Sequence, residues 1–148
     1  MNLKDKINLD LKDAMKSGDK IRLSVVRSIR ALILEFEKSG AAKELTPEDE
    51  LKMLTTAAKK RKDSIEQFRN AGRNDLADTE EAELKILMDY LPKQMDEEEI
   101  KNEIIRLANE IGAKSKADFP KLMPLVMKEL KGKADGKIVK SIVENILV

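Results

Sequence analysis

Apolar residues recur every three or four positions along almost the whole chain, which is the spacing of one face of an α-helix. No segment alternates apolar and polar residues in the way that a half-buried strand does. Four such stripes precede Pro92 and three follow it. The pattern therefore predicts an all-α protein, with a four-helix N-terminal bundle over residues 1–92 and a three-helix C-terminal bundle over residues 93–148.

The helices of the first bundle are predicted from their apolar stripes and from the residues at their ends. The stripes are Leu3–Met15, Ile21–Phe36, Leu51–Phe68 and Leu76–Leu91. Thr46 is followed by a proline and by acidic residues, which is typical of a helix start. Asn74 or Asp75 is expected to cap the fourth helix. Residues 40–45 and 92–95 are predicted to be hinges.

In the second bundle, an aspartate precedes each predicted helix. Asp96, Asp118 and Asp135 are placed so that each carboxylate can accept a backbone N–H of the following turn. The seventh helix is expected to bury Ile138, Ile142 and Ile146. Pro124 removes a hydrogen-bond donor from the sixth helix and is expected to bend it. These signals place three short helices after residue 93.

The composition excludes most catalytic chemistry. The 148 residues include no Cys, no His and no Trp. Without Cys there is no disulfide or thiolate nucleophile, and without His there is no imidazole base. We therefore expect no catalytic residue, no metal site and no cofactor. The absence of Cys, of an apolar leader and of a long apolar run also predicts a cytoplasmic protein that has no contact with the membrane.

The charges are spread unevenly along the chain, although the formal net charge is only +1. Residues 1–92 carry 18 basic and 18 acidic side chains, and residues 93–112 carry 3 and 6. Residues 113–148 carry 8 basic and 4 acidic side chains, which is a net charge of +4. The final segment is therefore a basic unit at the end of a nearly neutral protein.

Six lysines of this basic segment are predicted to bind the phosphates of a nucleic acid: Lys121, Lys128, Lys131, Lys133, Lys137 and Lys140. On a continuous sixth helix, Lys121, Lys128 and Lys131 share one face. Lys133 lies in a glycine-flanked turn, whose backbone N–H groups are expected to attract phosphate as well. The alternative is that these lysines simply keep a small bundle soluble. Phe119 is the only aromatic residue of the segment, which favours folded RNA over single-strand readout.

Arg61 falls on the apolar stripe of the third helix. Such a position favours a structural ion pair, or a guanidinium that extends along a contact between helices. Asp63, or an acid of the fourth helix such as Asp75 or Asp78, is the expected partner. A ligand-binding role for Arg61 is the alternative.

Two segments resemble known proteins. The first reads RKDSIEQF over residues 61–68 and AGRNDL over 71–76, followed by Glu80, Glu83 and YLPKQ over 90–94. These residues resemble the signature of the YqeY family. The second reads GKADGKIV over residues 132–139. It is similar to a turn shared by that family and the tail domain of the B subunit of the tRNA-dependent amidotransferase.

The resemblance spans essentially the whole chain and implies a four-helix bundle followed by a three-helix bundle. It also implies a connection with tRNA, because the related tail domain helps the amidotransferase to hold tRNA, so tRNA is the nucleic acid that the six lysines are expected to bind. Pro120 and Pro124 stand where the family pattern has glycine. If those glycines let an RNA backbone approach the sixth helix closely, the prolines are expected to weaken that contact.

Three functions are open from the sequence, and the first is favoured. It is an accessory tRNA-binding protein that is noncatalytic by itself. The alternative is a protein-interaction module that docks on an aminoacyl-tRNA synthesis enzyme, such as an aminoacyl-tRNA synthetase or an amidotransferase. The third is a carbon–nitrogen ligase with glutamine as the amide donor, a label that the family commonly carries. The chain itself contains no kinase-like cradle domain and no amidase partner.

Overall fold

The computed structural model describes residues 1–40 and 44–148, and in them it contains seven α-helices. They are α1 (Leu3–Ser17), α2 (Lys20–Lys38), α3 (Pro47–Asn70), α4 (Asn74–Met88), α5 (Glu97–Ile111), α6 (Phe119–Glu129) and α7 (Gly136–Ile146), with a short 3₁₀ helix at Lys116–Asp118 before α6. No strand occurs in the described residues, so the prediction of an all-α protein is confirmed. The hinge predicted at residues 40–45 lies partly outside them.

Polar caps begin α3, α5 and α7 at the predicted residues. Thr46 and Asp49 cap α3 reciprocally, since the side chain of each accepts the backbone N–H of the other. Asp96 and Asp135 accept backbone N–H groups of the following turns at 2.8 and 2.9 Å. These bonds satisfy amides that have no partner within the helix.

The start of α4 differs from the prediction. This helix begins at Asn74 without a side-chain cap, so the predicted cap at Asn74 or Asp75 is wrong. The Asp75 carboxylate instead accepts a hydrogen bond from the Arg73 guanidinium at 3.2 Å. The main partner of this carboxylate is therefore the guanidinium two residues before it.

The chain divides into two compact units, Met1–Leu91 and Pro92–Val148. In the first unit α1 packs against α2, and both α2 and α3 pack against α4. The core of this unit consists of Leu3, Ile7, Val25, Val26, Ile29, Ile33, Leu54, Ala58 and Leu87. Because α2 contributes adjacent residues to this core, it is buried along more than one stripe, as its broad apolar pattern predicts.

A polar cluster joins the end of the first unit to α1. The Tyr90 hydroxyl donates a hydrogen bond to the Asp10 carboxylate at 2.5 Å, and the Lys6 ammonium donates to the same carboxylate at 3.1 Å. Burial opposes the charge of Asp10, but these two hydrogen bonds, together with the positive charges of Lys6 and Arg22, outweigh it and hold the pKa of Asp10 below its usual range. Burial, and then the Asp10 carboxylate, raise the pKa of Tyr90, so its hydroxyl stays a donor.

Tyr90→Phe is expected to lower the free energy of unfolding by about 1–2 kcal/mol at neutral pH, because it removes a hydrogen bond to a charged acceptor. The pKa of Asp10 is depressed in the folded protein. The charged Asp10 carboxylate therefore stabilises the folded protein fully at pH values above the pKa that Asp10 has in the unfolded chain. This stabilisation is lost as the pH falls through the lower pKa that Asp10 has in the folded protein. Urea unfolding of both proteins from neutral pH to about pH 2 should show stabilities that converge in acid. A difference that stays constant would contradict this role of Asp10.

In the second unit α5, α6 and α7 pack against one another. Its core consists of Ile100, Ile104, Leu107, Ala108, Leu122, Val126, Leu130, Val139, Val143 and Leu147. On α7 the buried stripe begins at Val139, whereas Ile138 is 38% exposed. The prediction is therefore wrong for Ile138, whereas Ile142 and Ile146 are half-buried and pack against this core. Two neighbouring stripes of this helix are apolar, and packing against α5 and α6 selects the one that contains valine.

The residues that enter the second unit are tied to the turn between α6 and α7. Gln94 Nε2 donates hydrogen bonds to the carbonyl of Gly132 at 2.7 Å and to that of Pro92 at 2.8 Å. The Met95 N–H donates to the carbonyl of Lys133 at 2.8 Å. The end of the predicted hinge at residues 92–95 is thus bonded to the turn.

Candidate nucleic-acid interface

The six predicted lysines occupy three consecutive elements of the second unit. Lys121 and Lys128 lie on α6, Lys131 and Lys133 in the turn, and Lys137 and Lys140 on α7. All six side chains are exposed. Because α6 and α7 pack against each other, the three elements that carry these lysines are neighbours.

On α6, Lys121 and Lys128 lie on the side of the helix that faces away from the core. They are almost two full turns apart, so their side chains share one face. Leu122 and Val126 are completely buried and mark the opposite face. The helix is continuous through Pro124, so both lysines remain on one helix despite this proline.

Lys131 is placed differently from the prediction. The helix α6 ends at Glu129, and buried Leu130 is its C-cap residue. Gly132 then has a φ of 77°, a conformation that costs glycine least. The backbone has therefore left helical geometry before Lys131, which lies in the turn and not on the lysine face of α6.

Two backbone N–H groups near the turn already have partners inside the protein. The Lys133 N–H donates to the carbonyl of Leu130 at 2.9 Å. The Lys137 N–H donates to the Asp135 carboxylate at 2.9 Å. These amides are therefore not available to phosphate, contrary to the expectation from the sequence.

Lys133 has an acidic neighbour on α5. The pKa of Glu103 lies below its usual range, mainly because Arg106 donates hydrogen bonds to this carboxylate. The positive charge of Lys133 lowers the pKa further. The positive potential at Lys133 is accordingly weakened by Glu103. The segment of residues 113–148 nevertheless keeps its excess of basic over acidic side chains.

Asp118 organises the loop that precedes α6. Its carboxylate accepts the backbone N–H of Lys114 at 2.9 Å and that of Ser115 at 3.2 Å. The predicted side-chain cap of α6 by Asp118 is therefore wrong, since the carboxylate bonds backwards to the loop. These backbone hydrogen bonds hold the pKa of Asp118 below its usual range. They fix the loop on both sides of Lys116.

A cavity of about 550 Å³ lies in the second unit, between the start of α6 and the end of α7. Its lining residues are Lys116, Phe119, Pro120, Lys140, Glu144 and Leu147. We call it the Phe119 cavity. Phe119 also packs against the core, whereas Lys116 and Lys140 are exposed. Sequence reasoning missed this site because its two lysines belong to different elements, and no periodic pattern connects them.

Arg61, within the first unit, forms an ion-pair network. Its guanidinium binds the carboxylates of Glu80, at 3.2 Å, and Glu83, and it donates to the Ser28 hydroxyl at 3.3 Å. The side chains of Arg61 and Glu83 are each 15% exposed. A partner on the fourth helix is confirmed, but the expected positions on that helix are wrong. The network links α2, α3 and α4, which gives Arg61 a structural role.

A second cavity, of about 640 Å³, lies beside Arg61 in the first unit. Its apolar wall consists of Leu32, Phe36, Met53 and Ala57. The first two residues belong to α2 and the last two to α3. The core of the first unit therefore leaves an apolar concavity between these two helices.

In residues 1–40 and 44–148, no group of three or more His, Cys, Asp or Glu side chains is placed to hold a metal ion. No helix in the same part of the chain is long and apolar enough to cross a membrane. The six lysines and the two cavities described above are the features considered below for binding.

Comparison with known proteins identifies a family and several relatives. The family model described as Yqey-like protein matches residues 4–147. A protein of Pyrenophora tritici-repentis, named Altered inheritance of mitochondria protein 41, mitochondrial, is 33% identical over 146 residues, which cover 96% of this chain and 79% of that protein. A protein of the same name from Clavispora lusitaniae is 36% identical over 110 residues, 72% of this chain and 63% of that protein. An uncharacterized protein of Schizosaccharomyces pombe is 38% identical over 94 residues, 62% of this chain and 74% of that protein.

The names of these relatives contradict the predicted location. The proteins of Pyrenophora tritici-repentis and Clavispora lusitaniae are both named as mitochondrial, which points to mitochondria and not to the cytoplasm. The prediction of a cytoplasmic protein is therefore wrong. It relied on the absence of Cys, of an apolar leader and of a long apolar run, and a composition without Cys suits any reducing compartment equally well.

Proposed function

The chain belongs to the YqeY family, and we propose that it is an accessory tRNA-binding protein that is noncatalytic by itself. The residues that hold the tRNA are Lys121, Lys128, Lys131, Lys133, Lys137 and Lys140. The observation that carries this proposal is that all six are exposed on α6, the turn and α7, in a segment with a net charge of +4.

The arrangement suits the outside of a folded RNA. A lysine ammonium is a compact charge on a flexible stem, so it adapts to phosphates whose spacing varies along an RNA surface. Neutralised phosphates release their counterions, which is the main source of affinity that does not depend on sequence. The excess positive charge of residues 113–148 also attracts RNA over a distance of about 8–10 Å at physiological salt.

We further propose that residues 1–92 form a four-helix bundle and residues 93–148 a three-helix bundle with separate roles. The two separate apolar cores support this division. The net charge is zero over residues 1–92 and positive at the C-terminal end of the chain. The RNA contact is therefore assigned to the second bundle, whose turn is similar to one in the amidotransferase tail domain.

The alternative function is a protein-interaction module that docks on an aminoacyl-tRNA synthesis enzyme, such as an aminoacyl-tRNA synthetase or an amidotransferase. The observation in its favour is the cavity between α2 and α3, whose apolar wall has no role in RNA binding. Apolar concavities of this kind occur at binding sites for partners and ligands.

The purified protein is expected to retard total tRNA in gel electrophoresis, because its lysines neutralise phosphates. If all six lysines make such contacts, the affinity should fall by about a thousandfold between about 50 and 200 mM monovalent salt. A titration of tRNA at several salt concentrations measures this dependence. A DNA duplex of similar length serves as the control, and it should bind more weakly because it lacks the shape of folded RNA.

Failure to retard tRNA even at low salt would contradict the proposal. Recovery of an aminoacyl-tRNA synthesis enzyme by the nuclease-treated protein, together with that failure, would favour the docking function instead.

A further inference from the structure

We propose that the Phe119 cavity binds one unstacked nucleotide of a single-stranded RNA segment. This inference rests on the proposed function, since it assigns a particular part of the RNA to a particular part of the same surface. It goes further because phosphate contacts by lysines need no cavity and no aromatic ring. The cavity combines an apolar floor, two cations and one carboxylate, and those are the groups that a nucleotide requires.

Phe119 supplies a platform on which a base can stack. The side chain is half-buried and packs against the core of the second unit, so its ring is held in place while part of it lines the cavity. Pro120 and Leu147 extend the apolar lining on either side. Every base has a flat aromatic face, so stacking on Phe119 alone discriminates little between the four bases.

Two lysines from different elements border the cavity. Lys116 belongs to the 3₁₀ helix before α6, and Lys140 belongs to α7. Both are exposed, and the hydrogen bonds of Asp118 fix the loop that carries Lys116. A nucleotide whose base enters the cavity has a phosphate on each side of its sugar, and two separate ammonium groups match that arrangement.

Lys140 connects this cavity to the proposed tRNA surface, because it is also one of the six lysines assigned to that surface. An RNA backbone that follows α7 past Lys140 therefore reaches the mouth of the cavity. The volume of about 550 Å³ lies within the range of about 300–1,000 Å³ that is usual for sites of small organic ligands. One nucleotide of the bound RNA can be received there without displacing the core.

Glu144 gives the cavity a preference among bases. It follows Lys140 by one helical turn on α7 and lines the same cavity. A carboxylate accepts hydrogen bonds only, so it favours bases with an amino group, which are adenine, cytosine and guanine. Uracil has no amino group, and the single N–H of its pairing edge lies between two carbonyl oxygens that the carboxylate repels, so it binds more weakly. The cavity should therefore bind oligoadenylate or oligocytidylate more tightly than oligouridylate.

The test uses the full chain and a short single-stranded oligouridylate that carries one 2-aminopurine. This base has an amino group, is bright between weakly stacking uracils, and is quenched when it stacks. Wild-type protein is expected to quench this fluorescence. Phe119→Leu keeps an apolar side chain but removes the aromatic ring, so quenching should disappear and affinity should fall by about tenfold. The salt dependence should not change, because no phosphate contact is lost. Phe119→Tyr should retain the quenching.

Phe68→Leu is the matched control, since it makes the same change at a partly buried phenylalanine of the first unit. It should behave as the wild type. Lys116→Gln with Lys140→Gln leaves the core untouched and provides a test that does not depend on the folding of a Phe119 variant. This double variant should reduce the slope of log affinity against log salt by about 1.4 for a single strand.

The outcomes separate this inference from the proposed function. If tRNA binds but Phe119→Leu and the lysine double variant bind the oligonucleotide like the wild type, the cavity assignment is overturned while the tRNA proposal stands. If inorganic phosphate alone competes with the oligonucleotide and fluorescence is never quenched, the cavity is an anion site and the inference is equally overturned. If the oligonucleotide is quenched but tRNA is not bound, the cavity is supported and the proposed function is wrong.

Discussion

Replacing Lys131 and Lys133 together by glutamate is expected to weaken tRNA binding by about fiftyfold at physiological salt. Each reversal removes one phosphate contact, which contributes about fivefold to the affinity at that salt concentration through counterion release, and it adds a local repulsion. The slope of log affinity against log salt should become shallower by about two. Titrations of total tRNA at several salt concentrations measure both quantities. Both residues are exposed in the turn, so the free energy of unfolding should fall only modestly, through repulsion between the new carboxylate at position 133 and Glu103.

The matched control is Lys59→Glu with Lys60→Glu, two exposed positions of α3. It changes the net charge by the same amount within the first unit. This control should reduce affinity only slightly, because none of the six lysines assigned to the interface is changed and so no phosphate contact is lost. Equal weakening by both double variants would show that overall charge, and not the turn, controls binding. Unchanged affinity and slope in the Lys131 and Lys133 variant would remove the turn from the proposed interface.

Arg61→Met is expected to lower the free energy of unfolding by about 3–4 kcal/mol. The substitution keeps a long apolar side chain but leaves the carboxylates of Glu80 and Glu83 without their cation. These side chains are only 27% and 15% exposed, so water compensates for the lost partner in part. The Ser28 hydroxyl loses a donor as well. Urea unfolding at neutral pH measures the change.

Two further variants decide whether the unpaired charges cause this loss. Combining Arg61→Met with Glu80→Gln and Glu83→Gln should restore most of the stability, because no partly buried charge then lacks a partner. Arg69→Met is the matched control, since Arg69 binds Asp78 and Glu81 across the same two helices but at exposed positions. It should cost much less. Equal losses in the Arg61 and Arg69 variants would contradict the importance of burial.

Sequence reasoning predicts the helices of this protein well because their signals are local. Asp96 and Asp135 bond to amides of the turn that follows directly, so the sequence contains the complete interaction. The position of Arg61 on an apolar stripe is local as well, and it indicates correctly that the side chain is sheltered. Which acids of α4 lie opposite Arg61 depends on how far α3 and α4 are shifted along each other. No local sequence pattern encodes that shift, so Glu80 and Glu83 could not be predicted as its partners.

The candidate binding surface is harder to predict from the sequence, because it depends on packing between helices. The spacing of Lys131 fits a longer sixth helix, but Leu130 enters the core and the helix ends before the lysine. The two apolar stripes of α7 are equivalent in the sequence, and only packing against its neighbours exposes Ile138. The Phe119 cavity depends on the approach of Lys116 and Lys140 in space, which nothing in the order of residues signals.

The hydrogen bond from the Met95 N–H to the Lys133 carbonyl makes one amide proton a reporter for the turn. That proton exchanges with deuterated solvent only while the bond is open, so its exchange rate measures how often the turn releases the entering chain. A single resonance in an amide spectrum can thus follow the turn directly. None of the lysines in the candidate interface needs to be altered or labelled for that measurement.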